Sequence, residues 1–180
     1  MTTVQQKQTS STRAFDIVLS ALLIGLVFSA TAFLNIKLPI AASGGLVHLG
    51  TAMLFIVAIM FGPKKGALAG AAGMGIFDLV GGWLIWAPIT IVARAVQGFL
   101  VGAIANAAGR DGKSMTWNVL AMMLSIPVMM SIYYVGEAFL YGSWIAPLAS
   151  MPGDLLQNAI GLAIAIPVCR VLKKVPYFAK

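Results

Sequence analysis

Thr90, Arg94 and Gln97 stand at i, i+4 and i+7, so a helix through them carries a hydroxyl, a guanidinium and an amide on one face. Asp154, Gln157 and Asn158 share a second such face, with Gly161 one turn further on. Glu137 has Tyr133 four residues before it and Tyr141 four residues after it. These groups hydrogen-bond and carry charge, but they do not form a nucleophile–base pair. His48 is the single histidine, it has no evident nucleophile partner, and no G-x-S-x-G sequence occurs. One histidine and one cysteine, Cys169, supply neither an H-E-x-x-H motif nor paired metal-ligand spacing, so a resident metal or other cofactor is not expected. No G-x-x-x-x-G-K-[ST] loop is present, so the chain does not hydrolyse ATP alone. This set suits recognition of a solute, with His48 as a hydrogen-bonding wall residue, and not catalysis.

The elements that must carry these residues are apolar. Hydrophobic residues make up 60% of the 180-residue chain and charged residues only 9%, against about 25% charged in a soluble domain. The composition predicts an all-α membrane protein, a compact bundle of six transmembrane helices over residues 14–172. The spans are drawn at 14–35, 46–61, 66–80, 88–108, 115–141 and 151–172. Residues 1–13 and 173–180 are polar flanks. A perpendicular span needs ~20 residues, and the second and third fall short of that. Only Gly62-Pro63-Lys64-Lys65 separates them, which predicts a tight helical hairpin. The first apolar stretch is ~20 residues long, too long for a signal-peptide core, and is read as a retained helix.

Lysine and arginine set the orientation. Lys7 and Arg13 precede the first span, Lys64 and Lys65 lie between the second and third, and Arg110 and Lys113 lie between the fourth and fifth. Arg170, Lys173, Lys174 and Lys180 finish the chain, and the opposite loops hold only Lys37. This positive-inside pattern predicts that both termini of a multi-pass membrane protein lie in the cytoplasm. It also accounts for the net charge of +7 without nucleic acid. Because alternate spans run in opposite directions, the polar residues then fall in the outer leaflet. His48 and Thr51 open the second span, Asp78 closes the third, and Thr90, Arg94 and Gln97 lie early in the fourth. Glu137 and Tyr141 close the fifth, and Asp154, Gln157 and Asn158 open the sixth. A polar group in hydrocarbon costs several kcal/mol unless it finds a partner or water, so such a gathering predicts a cavity open to one side. The outer segment 35–45, with Pro39 and a Ser-Gly-Gly, is long enough to fold over it.

Several residues carry two readings. Arg94 either forms a buried ion pair with Asp78 or faces a ligand, and both can hold at once. Asp154 is either a helix-start residue favoured by the helix dipole or part of the cavity. Trp83, Trp86, Trp144 and the tyrosines suit an interfacial aromatic belt, yet beside acids and amides they also suit stacking on a flat heteroaromatic ligand. Ala21, Gly25 and Ser29 make a small-xxx-small ridge on the first helix, and Gly66, Gly70 and Gly73 make one on the third. The third-helix glycines read as internal packing, and the first-helix ridge as a docking face for another membrane subunit.

The run 47–102 resembles the substrate-binding (S) components of energy-coupling factor (ECF) vitamin transporters. It carries His-Leu-Gly-Thr at 48–51, Phe-Gly-Pro-Lys-Lys-Gly-Ala at 61–67, Ala69-Gly70, Gly73 and Asp78-Leu79. Trp86-Ala87-Pro88, Thr90, Arg94, Gln97-Gly98 and Gly102 continue it. The chain is similar to the branch assigned to pyridoxine or hydroxymethylpyrimidine uptake, itself related to riboflavin-type S components. The resemblance implies a six-helix bundle that binds a small-molecule vitamin from outside, associates with a transmembrane coupling subunit and two cytoplasmic ATPase subunits, and topples to release its cargo. It implies that the first-helix ridge is a variant of the AxxxA-type motif that meets the coupling subunit. The substrate-binding set expected on these grounds is His48, Asp78, Trp86, Thr90, Arg94, Gln97, Tyr133, Glu137, Tyr141, Gln157 and Asn158. The rivals are a proton-driven secondary transporter with Asp78 or Glu137 as carrier, riboflavin or pantothenate as cargo, and a membrane enzyme acting on lipid.

Overall fold

The computed structural model describes residues 2–33, 35–37, 46–176 and 178, with side chains of the first helix from Thr12 onward. The chain forms α1 (Thr2–Phe33), a short hairpin of β1 (Asn35–Lys37) and β2 (Leu46–His48), then α2 (Gly50–Phe61) and α3 (Pro63–Val80). It continues through α4 (Ala87–Asn106), α5 (Met115–Tyr141) and α6 (Met151–Leu172). β1 and β2 pair antiparallel, with Ile36 opposite Val47. The expected cover over the cavity thus begins and ends as a strand pair, while its centre at 38–45, with Pro39 and the Ser-Gly-Gly, lies outside the described residues.

Helices α5 and α6 occupy the predicted spans 115–141 and 151–172. The first helix starts at Thr2, in the polar stretch ahead of the drawn span 14–35, and its apolar part runs over Thr12–Phe33. No glycine or proline precedes Gly25, so nothing in that polar stretch breaks the helix. Helices α2 and α3 fall on the drawn spans 46–61 and 66–80. Among the described residues, four helical stretches are long and apolar enough to cross a membrane by length and composition: Thr12–Phe33, Ala87–Gly109, Met115–Tyr141 and Met151–Leu172. With 12 residues, α2 is only about 18 Å long at 1.5 Å per residue. Its apolarity serves the protein core and not lipid, since Leu54, Phe55, Val57, Ala58 and Ile59 are all buried.

The hairpin between α2 and α3 turns at Gly62, where φ is 84° and the chain reverses in one residue. An L side chain rarely adopts that backbone, and Pro63 at the first position of α3 suits its missing N–H. Behind this turn, α3 and α4 approach almost backbone to backbone. A Cβ on Gly66 would lie 2.8 Å from the Gly98 carbonyl oxygen, and one on Gly70 2.9 Å from the Arg94 carbonyl oxygen. The glycines of α3 therefore pack inside the bundle.

On α1 the buried stripe is Leu23, Val27 and Thr31, with Val27 against Gly73 of α3. Ala21, Gly25 and Ser29 are exposed. They sit two residues out of step with the buried stripe, about 200° round the helix and so on its opposite face. A Cβ on Gly25 would meet nothing within 4 Å. At the basic end, Lys65 ties α1 to α3 through an ion pair with Asp16 at 2.7 Å and a hydrogen bond to Ser20 Oγ at 2.6 Å.

Candidate functional site

At the end of the bundle away from most lysines and arginines, β2 and the ends of α3 to α6 surround a cavity of about 100 Å³. Arg94 is its centre. The side chain lies two turns into α4 and is 3% exposed. Its Nη1 donates to Gln97 Oε1 at 2.8 Å and to Thr51 Oγ1 at 3.4 Å. The Gln157 amide satisfies both of its ends when its oxygen accepts from Arg94 Nη2 at 2.8 Å and its nitrogen donates to the Leu46 carbonyl at 2.7 Å. Gln97 Nε2 in turn donates to Asn158 Oδ1 at 2.8 Å, and Asn158 Nδ2 to the Asp154 carbonyl at 2.8 Å. One network thus ties α2, α4, α6 and β2 together through a guanidinium and three amides.

Among the described residues, no carboxylate is in ion-pair contact with this guanidinium; the ion pair present is Lys65–Asp16. The reading of Arg94 and Asp78 as a direct pair is therefore corrected. Asp78 and Asp154 line the same cavity, near enough to feel the Arg94 charge without touching it. The guanidinium is held by neutral acceptors, its Nε has no partner among the described residues, and the face of Tyr133 lies 5.3 Å from its Cζ.

The opposite wall comes from α5 and the segments around it. Tyr133 Oη donates to Thr90 Oγ1 at 3.0 Å, and Glu137 Oε2 accepts from Ser150 Oγ at 2.8 Å. Trp86 Nε1 donates to Tyr141 Oη at 3.2 Å, and Trp83 stands edge-on to Trp86 at 5.3 Å. The indole of Trp86 is fixed by that bond with its ring at the cavity wall. His48 is held from the other side by a hydrogen bond from Gly50 N to its Nδ1 at 3.2 Å.

The structure brings His48, Asp78, Trp86, Thr90, Arg94, Tyr133, Glu137 and Gln157 to the cavity wall. Gln97, Asn158 and Tyr141 are not on that wall. The first two lie behind Arg94, as its supports, and Tyr141 holds the indole of Trp86. The wall also contains Leu46, Trp83, Ser150, Gly153 and Asp154. Asp154 and Trp83 were visible in the sequence with rival readings. Ser150, at the start of α6, carried no signal beyond a helix start, and Leu46 and Gly153 carried none.

Comparison with known proteins supplies the context. A model of the family "ECF-type riboflavin transporter, S component" matches residues 11–174. A protein of Pyrococcus woesei described as "Uncharacterized protein in gap 3'region" is 31% identical over 139 residues, spanning 77% of this chain and 90% of that one. The crystal structure of the S-component for biotin from an ECF-type ABC transporter superposes with a TM-score of 0.68 at 15% identity, over 99% of this chain and 97% of that one. At that identity the superposition speaks for the fold alone.

Proposed function

The chain belongs to the ECF-type riboflavin transporter S-component family, and from that premise we propose that it is the vitamin-binding membrane subunit of an ATP-driven importer whose cargo is a single-ring heteroaromatic vitamin, pyridoxine or hydroxymethylpyrimidine. The observation that carries this reading is the cavity itself. It is small, about 100 Å³, and its wall sets aromatic rings beside hydrogen-bonding side chains. Trp86 and Tyr133 offer ring faces, and Arg94, Asp78, Glu137, Asp154 and Gln157 offer an edge of hydrogen-bonding groups. This combination fits a flat ring bearing nitrogens and hydroxyls. With no ATPase motif of its own, the subunit takes its energy from partners: a coupling subunit in the membrane and two cytoplasmic ATPases.

Two measurements test the cargo. Mass spectrometry of small molecules that co-purify with the protein is expected to show a pyridine or pyrimidine. Calorimetry with pyridoxine and hydroxymethylpyrimidine is expected to give heat with at least one. Glu137→Gln and Asn158→Ala are each expected to weaken that binding roughly tenfold or more, about 1.4 kcal/mol, since losing one partner of a buried hydrogen bond costs ~1–3 kcal/mol. Unchanged affinity in both variants would move the site away from α5 and α6. Uptake into vesicles that proceeds without ATP and partner subunits would instead favour a secondary transporter.

The orientation is tested separately. In a Cys169→Ala background, Lys113→Cys in the α4–α5 turn is expected to resist membrane-impermeant thiol reagent in intact cells. Ala149→Cys, exposed in the α5–α6 connection, is expected to react with it. The reverse pattern would put the cavity on the cytoplasmic side and remove the argument for uptake.

A further inference from the structure

The basic end of the bundle holds a second cavity, of about 290 Å³, between the start of α5 and the end of α6. Lys113, Arg170 and Lys173 line it, and no acidic residue does. Lys173 Nζ reaches the carbonyl oxygen of Asp111 at 2.5 Å, and neither Lys113 nor Arg170 is in an ion pair among the described residues. Partial burial, with the like charge of Lys113, holds the Lys173 ammonium below the usual lysine range, against the pull of Asp111. Three cations share one hollow whose lining holds no acid, and Asp111 beside it is the acid that acts on Lys173.

A second observation comes from Asn118, which lines the same hollow and is 2% exposed. Its Nδ2 donates to the Gly112 carbonyl at 2.8 Å, which fixes the amide and closes the α4–α5 turn. Its Oδ1 is buried and accepts no hydrogen bond among the described residues. Buried polar atoms are nearly always paired, so this acceptor is waiting for a donor. A ligand that satisfies the whole hollow therefore brings an anion for the cations and a hydroxyl for the amide oxygen. The hollow sits at the ends of two helices long enough to cross a bilayer, which is head-group depth.

We propose that this hollow between α5 and α6 binds an anionic glycerophosphate group, the phosphate against Lys113, Arg170 and Lys173 and a glycerol hydroxyl on Asn118 Oδ1. A phosphatidylglycerol head group presents this chemistry from the bilayer, and glycerol 3-phosphate presents it from solution. The site is separate from the cargo cavity and does not rest on the cargo's identity.

Native mass spectrometry of the purified protein, titrated with phosphatidylglycerol, phosphatidic acid, phosphatidylcholine and glycerol 3-phosphate, tests it. Phosphatidylglycerol adducts are expected to exceed phosphatidylcholine adducts at equal lipid. They are expected to weaken roughly fivefold for each cation removed, in Lys113→Gln and Arg170→Gln. Asn118→Ala is expected to erase the preference for phosphatidylglycerol over phosphatidic acid, which has the phosphate without the second glycerol. Because that change also frees the Gly112 carbonyl, the two charge variants stand as the independent arm. Displacement of the lipid by equimolar glycerol 3-phosphate would identify the soluble ester as the ligand of the same site, and absence of displacement identifies the lipid. Phosphatidylglycerol adducts no more abundant than phosphatidylcholine adducts, or unaltered in both charge variants, would overturn the proposal.

Discussion

Replacing Arg94 with methionine is expected to weaken cargo binding at least about a hundredfold, or ~2.7 kcal/mol, while the protein still folds and purifies. The first half of that expectation follows from how much the guanidinium organises. Gln97, Gln157 and Thr51 all turn toward it, and Asn158 is fixed one bond further out. Each acceptor left unpaired in a buried site costs ~1–3 kcal/mol unless it finds a new partner. Amides can find one, being donors and acceptors together. With the cation gone, Gln97, Gln157 and Asn158 are expected to close on one another and rebuild the wall of the cavity, so binding is lost and the fold survives. The fold rests on contacts Arg94 does not make through its side chain: the glycine approach of α3 to α4 and the buried core of α2. Methionine keeps much of the volume, which avoids a large void. Arg94→Lys is expected to fall between, since an ammonium keeps the charge but cannot fork to two amides. The readouts are calorimetry with pyridoxine and hydroxymethylpyrimidine, and the amount of co-purified small molecule. Binding by Arg94→Met within about threefold of the parent protein would make the residue a structural tie and no more.

Much of this site was legible because lipid punishes polarity. In an aqueous protein Thr90, Arg94 and Gln97 would be three unremarked residues on a helix. In an apolar span they must be accounted for, and helical spacing alone puts them on one face. Spacing does not give depth. Gln97 lies one turn further from the cavity mouth than Arg94 and became its support, and Asn158, one turn deeper than Asp154, holds Gln97 in turn. Wall residues that contribute shape or a single hydroxyl, such as Leu46, Gly153 and Ser150, have no chemical signature at all.

The fold shows the same division. The bounds of α5 were readable because Gly142, in the left-handed conformation, ends the helix, and α6 because Pro152 marks its first turn. What the second span faces was less legible, because apolar residues do not say what they face. Twelve residues of nearly unbroken apolarity look like a short membrane crossing, but in α2 almost all of them face protein. A hydrophobic stretch of about 10–14 residues is as consistent with a buried core helix as with a span.

Replacing Gly25 with leucine is expected to abolish assembly with the coupling subunit while leaving cargo binding unchanged. The two small-residue ridges of this chain look alike in sequence and behave oppositely in the structure. A side chain at Gly66 or Gly70 would run into the backbone of α4, so substitution there is expected to cost the fold. A side chain at Gly25 meets nothing, because Ala21, Gly25 and Ser29 lie on the face of α1 opposite the stripe that packs on the bundle. Around them Val18, Leu22 and Leu26 are exposed as well, so this is an apolar face with a shallow track along its centre. Such a track lets a partner helix come close, and close approach is the main source of affinity between helices in lipid, where no hydrophobic effect drives them together. A leucine in the track forces the helices apart or into strain, at about 1–3 kcal/mol, which is roughly five- to 150-fold in association. Uptake that depends on assembly falls by the same factor, whereas calorimetry on the isolated subunit stays as it was. Ser29→Leu, one turn along the same face, is expected to behave alike. Assembly that survives both changes would move the docking face off α1. Loss of cargo binding ahead of assembly would mean that this face closes against the bundle and not against a partner.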